Sequence, residues 1–458
     1  MKETWATFGA DLHLDLTDGH GRAALERALR EAIQSGRLHP GTRLPSSRAL
    51  AQDLSLARNT IVEAYGQLVA EGWLTAVTGS GTHVAERAAE VHPPITTAVP
   101  TRAPRFDLRP GFPDLTTFPR AAWLTAARRA LNTAPYEALG YGDPRGRPEL
   151  REALAAYLSR ARGVRTDADR IVVCSGFAQA LPLLCRVLAA RGGTTIAIEN
   201  YGHGSHRDAA VASGLRPAPV ALDSHGVIAS ALGDADAALL TPAHQFPLGM
   251  ALAAARRTQV AGWAAEQGAV IIEDDYDGEF RYDRQAIGAM QALAPNHIVY
   301  AGTGSKTLAP GLRLAWLVLP AHLVDDVASA KSMADGNSSS LDQLTMAEFI
   351  TSGAYDRHVR RCRLLYRRRR DRLVSQLHGR FPISGVSAGL HAVVELPRDW
   401  SEDGVVARAA DRGLALRGLS SFAMGAADRG PALVIGYGTP PAHAYTSALA
   451  RLVATLSM

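Results

Sequence analysis

One lysine in the C-terminal half of the chain stands among residue types that suit covalent chemistry on an aldehyde. Residues 300–316 read YAGTGSKTLAPGLRLAW, so Lys306 follows Ser305, and Arg313 comes seven residues after Lys306. A lysine that condenses with an aldehyde needs small neighbours to position it, and a phosphate group needs hydroxyls and a guanidinium fork. Thr303, Ser305 and Arg313 would supply these phosphate contacts beside a Schiff-base lysine.

Three other segments carry groups for the same chemistry. Residues 270–282, VIIEDDYDGEFRY, are a strand pattern that ends in acids and continues to Tyr276. Residues 172–179, VVCSGFAQ, run from a strand into a helix whose first N–H groups would form an anion site. Residues 241–249, TPAHQFPLG, are a loop after a strand. Taken singly, these patterns have ordinary interpretations, namely a solvated lysine, a common turn, or a metal site at the acids.

These segments must be positioned by a sheet, and the sequence predicts one. Beyond residue 104, short β-rich runs alternate with helical segments, which is typical of a mostly parallel α/β sheet buried on both faces. The predicted strand runs are 170–174, 194–198, 237–240, 269–273 and 297–300.

The N-terminal part of the chain carries a local concentration of positive charge. Residues 20–60 hold seven Arg and three acids, whereas residues 1–90 as a whole carry nine basic and eleven acidic residues. The net charge of the whole chain is only +5. A basic patch inside a near-neutral domain is one way in which contact with nucleic acid escapes a global charge count.

Hydrophobic spacing in this basic segment predicts a helix-turn-helix. After an amphipathic helix over 21–34, a short helix capped by Ser46 or Ser47 ends at Leu54, and a tight turn leads to a helix that begins at Arg58. The last helix of such a pair can enter the major groove of DNA. The sequence that follows, GWLTAVTGSGTHV, predicts two short strands around a glycine turn, the shape of a wing.

Nine residues of the predicted helix-turn-helix and wing are placed to contact DNA. The first four would hold phosphates, the next three would reach base edges or nearby phosphates, and the last two lie at the wing. These residues are Arg43, Ser46, Ser47, Arg48, Arg58, Asn59, Thr60, Gly81 and Thr82. The alternative is a small α/β subdomain whose arginines are merely solvated.

The remaining organisation follows from proline content and length. Residues 86–104 hold four prolines and no apolar periodicity, which predicts a semi-rigid linker. We expect a winged helix over 1–85 and an α/β domain over 105–458, whose smaller α+β subdomain begins near residue 330.

Composition excludes several other classes of protein. No stretch approaches ~18 consecutive apolar residues, and Met1–Asp18 lacks the basic and apolar regions of a secretory signal. Cys174, Cys185 and Cys362 are too few for a disulfide framework and lack metal-ligand spacing. We therefore expect a cytoplasmic protein without a bound metal.

At this point two resemblances are specific. The runs PGTRLPSSRALA, ARNTI and GSGTHV resemble the winged helix of GntR-type bacterial regulators, with Ala57 replacing the serine that usually precedes the arginine. The four C-terminal segments, in their order and spacing, resemble the fold type I aminotransferases over nearly all of the chain beyond Phe106. The two halves together resemble the MocR family of bacterial transcription regulators, which implies a homodimer that binds double-stranded DNA.

The aminotransferase resemblance implies pyridoxal 5'-phosphate as cofactor and a role for each site residue. Lys306 would form the Schiff base, Asp274 rather than Asp275 would pair with the pyridine nitrogen, and Tyr276 would bind the phenolic oxygen. His203 would stack on the ring. The residues implied around the phosphate are Ser175, Gly176, Phe177, Thr303, Ser305 and Arg313, with Tyr141 reaching in from the partner subunit, and Gln245 would lie near the O3′ edge of the ring.

One departure from the family pattern bears on activity. Aminotransferases generally hold the substrate carboxylate with an arginine in a strand near the C-terminus, but the matching strand here reads ALVIGYG and places Val434 at that position. A branched apolar side chain cannot form the bidentate pair. The departure argues against ordinary amino-acid transamination and favours a PdxR-like regulator whose effector is the vitamer itself. Two alternatives stay open: a GabR-like sensor of an amino compound, and a working aminotransferase with a vestigial DNA-binding domain.

A strongly basic stretch has two interpretations. Residues 357–372 hold nine Arg and one acid. The stretch is either a solvated helix of the small subdomain or a further contact to DNA or to the winged helix.

Overall fold

The computed structural model describes residues 21–86, 104–282, 287–425 and 428–457. The chain divides into two compact units, one before residue 102 and one from that residue onward. The predicted linker over 86–104 and the N-terminal segment without the pattern of a secretory signal lie almost entirely outside the described residues.

The described part of the first unit is three helices followed by a two-stranded hairpin. Ser46 begins the second helix by accepting a hydrogen bond from the Ala49 N–H at 3.2 Å, as an N-cap serine should. The helices pack around a buried core that includes Leu25, Leu50 and Ile61. The elements are α1 (Arg22–Gln34), α2 (Ser47–Asp53), α3 (Arg58–Ala70), β1 (Leu74–Val77) and β2 (Gly81–Val84), and the two strands are antiparallel.

The second unit alternates strands and helices along most of its length. Its strands are β3 (Phe106–Asp107), β4 (Ile171–Cys174), β5 (Thr195–Glu199), β6 (Arg216–Val220), β7 (Leu222–Asp223), β8 (Gly226–Val227), β9 (Ala237–Leu240), β10 (Val270–Asp275), β11 (Ile298–Thr303), β12 (Ala315–Val318), β13 (Ile383–Ser384), β14 (His391–Glu395), β15 (Leu414–Ala415) and β16 (Ala432–Gly436). Its helices are α4 (Arg120–Thr133), α5 (Pro148–Arg162), α6 (Phe177–Ala190), α7 (Gly204–Ala212), α8 (Ala254–Gln267), α9 (Ala321–Asp335), α10 (Ser340–Thr351), α11 (Ala354–Leu377), α12 (Glu402–Asp411) and α13 (Tyr445–Leu456).

A seven-stranded sheet forms the middle of this unit, in the order β4-β12-β11-β10-β9-β5-β6. Only β12 runs against its neighbours, so the sheet is mostly parallel. Alternate residues of β4 enter different cores, Val172 on one face and Val173 on the other, which explains why the strand is apolar throughout. The predicted fold class is confirmed, and each predicted strand run overlaps a strand, with bounds that agree to within three residues.

A smaller antiparallel sheet, β13-β14-β16, lies toward the C-terminus. Helices α11, α12 and α13 contribute to one apolar core with this sheet. Among the described residues, none of the helices has the length and apolar character that crossing a membrane requires. The carboxyl ends of the parallel strands meet along one edge of the large sheet, where ligands of open α/β folds are usually bound.

A candidate cofactor pocket and a candidate DNA interface

Lys306 lies just beyond the carboxyl end of β11. Its Nζ donates a hydrogen bond to the carbonyl oxygen of Gly111 at 2.5 Å. Burial lowers the pKa of Lys306, while the carboxylates of Asp274 and Asp277 act in the opposite direction. A lysine with a lowered pKa carries a larger fraction of the neutral amine, the form that attacks a carbonyl carbon.

The loop between β4 and α6 is shaped around an arginine. Gly176 has a φ of 88°, and a Cβ placed on it would lie 2.7 Å from the Arg313 guanidinium, so glycine is needed at this position. Arg313 itself has a φ of 52° and donates a hydrogen bond to the carbonyl oxygen of Ser175. A non-glycine residue held in the left-handed region is a common mark of a functional constraint.

Hydroxyls and free amides complete this corner of the pocket. Thr303 Oγ1 donates to Ser305 Oγ at 2.9 Å and accepts from the Ser305 N–H at 3.1 Å. The backbone amides of Phe177 and Ala178, the first two of α6, stand before any intrahelical acceptor. An arginine fork, hydroxyls and a helix N-terminus together are the donor set that a phosphate group requires.

Three consecutive acids end β10, and their surroundings differ sharply. The Glu273 carboxylate accepts the backbone N–H groups of Met290 and Gln291 at 2.7 and 2.9 Å. Asp275 pairs with Arg162, with Nε and Oδ2 2.7 Å apart, and also accepts from the Tyr300 hydroxyl. Asp274 alone of the three has no hydrogen-bond or ion-pair partner among the described residues.

The environment of Asp274 shows whether the pocket suits the ring nitrogen of the cofactor. Asp274 is 7% exposed, and burial is the main cause that raises its pKa to about 8, with Lys306 opposing the rise. An isolated buried carboxylate is unfavourable, and a protonated pyridine nitrogen would satisfy it. The described residues therefore fit pyridoxal phosphate at both ends, the phosphate at the Arg313 loop and the ring nitrogen at Asp274.

Other predicted pocket residues contact one another rather than empty space. The Tyr276 hydroxyl donates to the carbonyl oxygen of His244 at 2.9 Å. The half-buried ring of His203 stacks on Phe246, with centroids 4.2 Å apart and planes 9° apart. Gln245 is buried, and its amide donates to carbonyl oxygens of Tyr201 and Phe246, so the hydrogen bonds of this side chain organise the loop.

Sequence reasoning missed several polar residues of this pocket. His244 Nδ1 and Asp277 Oδ2 are 2.9 Å apart, both residues are buried, and His391 Nε2 lies 3.0 Å from the Pro247 carbonyl oxygen. His244 and Asp277 stand inside the motifs 241–249 and 270–282, so these motifs carried a signal for both residues. Arg162 and His391 come from α5 and β14, and no local pattern marked either of them.

Val434 and Tyr141, two further positions singled out in the sequence, differ in their exposure to solvent. Val434 is completely buried in β16 and packs among apolar side chains, so the departure from the aminotransferase pattern is a filled apolar position. Tyr141 is fully exposed and makes no contact with the pocket of its own chain.

In the first unit, five of the nine predicted DNA-binding residues line one cleft of about 430 Å³. They are Arg43, Ser46, Ser47, Gly81 and Thr82. Arg48, Arg58 and Asn59 are exposed nearby in sequence, while Thr60 is half-buried. The Arg58 Nε lies 3.5 Å from Ser47 Oγ, so the start of α3 and the start of α2 are adjacent.

The arginines of this unit fall into two groups. Arg22 pairs with Glu26 at 3.1 Å, and Arg30 pairs with Glu71 at 2.8 Å. In contrast, Arg43, Arg48 and Arg58 form no ion pair within the described part of the chain. Their positive charge is therefore left for an external anion.

The basic stretch 357–372 lies within α11 and serves mixed purposes. Arg369 is buried, with its guanidinium 2.6 Å from the Asp114 carboxylate, and Arg363 donates to the carbonyl oxygen of Glu279 at 2.8 Å. Arg360 and Arg368 are exposed. The stretch is thus partly structural and partly solvated, and a contact to DNA or to the winged helix stays a prediction.

Two family models match the chain. The model of "Aminotransferase class I and II" matches residues 110–429, and that of "Bacterial regulatory proteins, gntR family" matches residues 22–84. The chain is 34% identical to the HTH-type pyridoxine biosynthesis transcriptional regulator PdxR of Corynebacterium glutamicum, with 91% of each chain covered. It is 31% identical to the probable rhizopine catabolism regulatory protein MocR of Rhizobium meliloti, covering 84% of this chain and 83% of MocR.

Solved structures of aminotransferases share the fold of the second unit. A kynurenine aminotransferase from Pyrococcus horikoshii matches with a TM-score of 0.69 and 23% identity, covering 77% of this chain and 90% of the enzyme. An archaeal alanine:glyoxylate aminotransferase matches with a TM-score of 0.70, the same identity and the same coverage.

Proposed function

The chain belongs to the MocR family of bacterial transcription regulators, and we propose that occupancy of its aminotransferase-like pocket controls how it binds promoter DNA. The observation that carries the proposal is that one chain holds both a surface of unpaired cations and a buried carboxylate with no partner among the described residues. A polyanion neutralises the first, and a protonated ring nitrogen satisfies the second.

Pyridoxal 5'-phosphate is the cofactor of this family, and the pocket has a residue for each part of it. When bound, the cofactor supplies an aldehyde that condenses with a lysine and a protonated ring that withdraws electrons. We assign Lys306 to the aldehyde, Asp274 to the ring nitrogen and Tyr276 to the phenolic oxygen. Arg313, the hydroxyls and the start of α6 would hold the phosphate, and His203 would lie against the ring.

The same pocket argues against sustained transamination. A transaminase must hold the carboxylate of its substrate so that the Cα–H bond is aligned, and β16 offers Val434 where an arginine fork would stand. Loss of such an orienting pair costs on the order of 10²-fold or more in rate. We therefore propose that the protein uses ligand binding to change DNA affinity rather than to turn over a substrate.

The DNA contact is proposed at the cleft between α2, α3 and the hairpin. Arg43 lies beside the turn glycine, since a Cβ on Gly81 would be 3.2 Å from the Arg43 Nε. Arg58 and Asn59 begin α3 and are exposed, as recognition-helix residues must be. Phosphate contacts would come from Arg43 and the serines, and base-edge contacts from the start of α3.

A homodimer is proposed from the surface of the second unit. Large apolar side chains are exposed along 112–141, and exposed apolar surface can mark a protein–protein interface. They are Phe112, Leu115, Leu124, Leu131, Tyr136, Leu139 and Tyr141. In the proposed dimer Tyr141 reaches the phosphate of the partner's pocket.

Mixed dimers test this shared site. Lys306→Ala and Tyr141→Ala subunits would each fail to hold the cofactor normally, but a heterodimer would contain one intact pocket. Recovery of up to half of the cofactor absorption on mixing is expected. No recovery in a verified heterodimer would refute the partner role of Tyr141.

The similarity to a pyridoxine biosynthesis regulator supports vitamin B6 genes as the target and the vitamer as effector. We also propose a cytoplasmic location, because the protein would bind promoters there.

The function itself is tested by titrating cofactor-free and cofactor-loaded protein against the DNA upstream of its own gene. We expect the two forms to differ in affinity by about 5-fold or more, since coupling energies of this kind typically amount to about 1–3 kcal/mol. Equal affinities would refute the proposal.

A further inference from the structure

The position of the missing arginine can be followed across the small sheet. Val434 lies opposite Val393 of β14 on one side of β16. On the other side, the Val434 N–H donates to the carbonyl oxygen of Arg417 at 2.9 Å, and Gly418 is bridged to Leu433 in antiparallel register. Arg417 is therefore the direct cross-strand neighbour of Val434.

Direct neighbours on antiparallel strands project to the same face. The side chain of Val434 packs with Phe246 and Phe422, and the Arg417 guanidinium carbon lies 5.2 Å from the centre of the Phe422 ring. Arg417 thus brings a positive charge to the face from which an arginine at position 434 would project.

This guanidinium has no counterion in the part of the chain that the structure describes. Among the described residues, Arg417 forms neither a hydrogen bond through its side chain nor an ion pair, and it is exposed. Arg429, close by in sequence, differs in that its guanidinium contacts the Leu222 carbonyl oxygen at 3.4 Å. Stacking on an aromatic ring holds an arginine in place while leaving its donors free for a ligand.

The aromatic cluster connects Arg417 to the candidate cofactor pocket. Phe422 is 5.1 Å from Phe246 and 6.1 Å from His203, measured between ring centres. The pKa of His203 is lowered to about 4, first by burial and then by the positive charges of Lys306 and Arg417. The positive charges of Lys306 and Arg417 therefore both lower the pKa of the His203 ring. Lys306 is where a ligand's amine would react, and Arg417 is where a second group of the same ligand would bind.

We propose that Arg417 binds the carboxylate of a small amino acid, a second effector that enters the pocket once the vitamer is bound. The inference rests on the proposed function, because the amine of this ligand would meet the loaded pocket at Lys306. A guanidinium fork suits a carboxylate in two parallel hydrogen bonds. The cation that selects an acid then stands on the segment next to β16, at Arg417, rather than in β16 at position 434. Acid recognition therefore does not require an arginine at position 434.

The test compares acids with their uncharged carboxamides. Full-length, cofactor-loaded protein is titrated with glycine, β-alanine and 5-aminopentanoate, and separately with the corresponding amides. The readouts are the visible absorption of the cofactor and the affinity for the DNA upstream of its own gene. We expect at least one acid to act at roughly 10-fold lower concentration than its amide, as a charge-assisted hydrogen-bonded pair would give.

Two variants and a control test whether Arg417 causes this preference for acids over amides. Arg417→Gln should bring the acid to within about 2-fold of its amide while the amide curve stays unchanged, and Arg417→Lys should retain part of the preference because an ammonium lacks the fork. Arg412→Gln, at an exposed arginine just after α12, should behave as the parent.

Several results would overturn the assignment. These are an equal response to acids and amides in the parent, no response to any of the three acids, and an acid preference that survives Arg417→Gln. In each of these cases the cofactor band and the cofactor-dependent DNA affinity of the parent would still stand. Their loss, in contrast, would refute the proposed function itself.

Discussion

The two candidate sites of this protein handle charge in opposite ways. In the first unit Arg43, Arg48 and Arg58 are exposed and lack acidic partners among the described residues. In the pocket of the second unit the charges are of both signs and mostly buried, and Asp274 interacts with Lys306. The first arrangement suits a long polyanion, and the second suits one small molecule.

This difference predicts how each site responds to mutation and to salt. Exposed charges are screened by ions, so each one contributes a small, additive and salt-dependent share of DNA affinity. Buried charges are screened much less than exposed ones, so losing one changes the site qualitatively. Substitutions in the pocket should accordingly have larger effects than single substitutions at the DNA surface.

The largest effect is expected for Lys306→Ala. Without the amine no covalent attachment of pyridoxal phosphate is possible, so the visible absorption band and the mass added by borohydride reduction should both disappear. Lys306→Arg is the matched control, because it keeps the positive charge but cannot condense with an aldehyde. A band that persists in both variants would show that another lysine is the point of attachment.

Asp274 and Asp275, neighbours in β10, should support different properties, cofactor binding and folding stability respectively. Asp275→Asn removes the charge that pairs with buried Arg162, and breaking a buried ion pair in this way costs about 3–5 kcal/mol of unfolding free energy. Asp274→Asn should leave the cofactor-free protein at least as stable as the parent but weaken cofactor binding. Urea unfolding and cofactor titration of both variants measure these two quantities.

One pair of results would contradict the roles assigned to Asp274 and Asp275. If Asp275→Asn weakened the cofactor while leaving stability intact, and Asp274→Asn unfolded the protein, the two assignments would have to be exchanged.

A smaller effect is expected in the pH dependence of the cofactor-free protein. Burial raises the pKa of Asp274 from its ordinary 3.8 to about 8, so between these values the folded state binds a proton that the unfolded state has released. Stability from this group is present at low pH and is lost as pH rises towards 8. Asp274→Asn should therefore flatten the decline by about 1.4 kcal/mol per pH unit.

Unfolding measured at about pH 5, 6 and 7, within the window between the two pKa values, tests this slope, with Asp403→Asn at an exposed acid of α12 as the control. An unchanged slope in Asp274→Asn would mean that this carboxyl is not protonated in the folded, cofactor-free protein.

The smallest single effects are expected at the DNA surface. Arg43→Ala and Arg58→Ala should each lower the slope of log affinity against log salt by about 0.9 for every DNA phosphate that the arginine neutralises. Arg22→Ala, where the arginine is already paired with Glu26, should leave that slope unchanged. Equal slopes in all three variants would show that α3 is not the element that meets DNA.

Much of this arrangement could be predicted from local sequence, and its limits are physical. The apolar strand runs and the N-cap at Ser46 are local patterns, and Lys306, Asp274 and Arg313 stand in motifs with a mechanism of their own. What local patterns cannot show is which partner a side chain finds across the fold. That Asp275 is neutralised by Arg162 depends on α5 meeting β10, 113 residues apart in sequence.

Position 434 shows the same limit. The strand sequence ALVIGYG reveals that the usual arginine is absent, but not that Arg417 lies opposite Val434 on the neighbouring segment. Cross-strand neighbours depend on register, and no local motif determines the register of this segment.

The central claim is that filling the pocket of the second unit changes what the first unit does on DNA. The most direct measurement is the affinity of the full-length protein for the DNA upstream of its own gene, with and without pyridoxal phosphate, alongside Lys306→Ala. We predict that the cofactor changes parental affinity by about 5-fold or more and leaves that of Lys306→Ala unchanged. A parent whose DNA affinity is indifferent to cofactor, and which instead turns over an amino acid with a keto acid repeatedly, would contradict this claim.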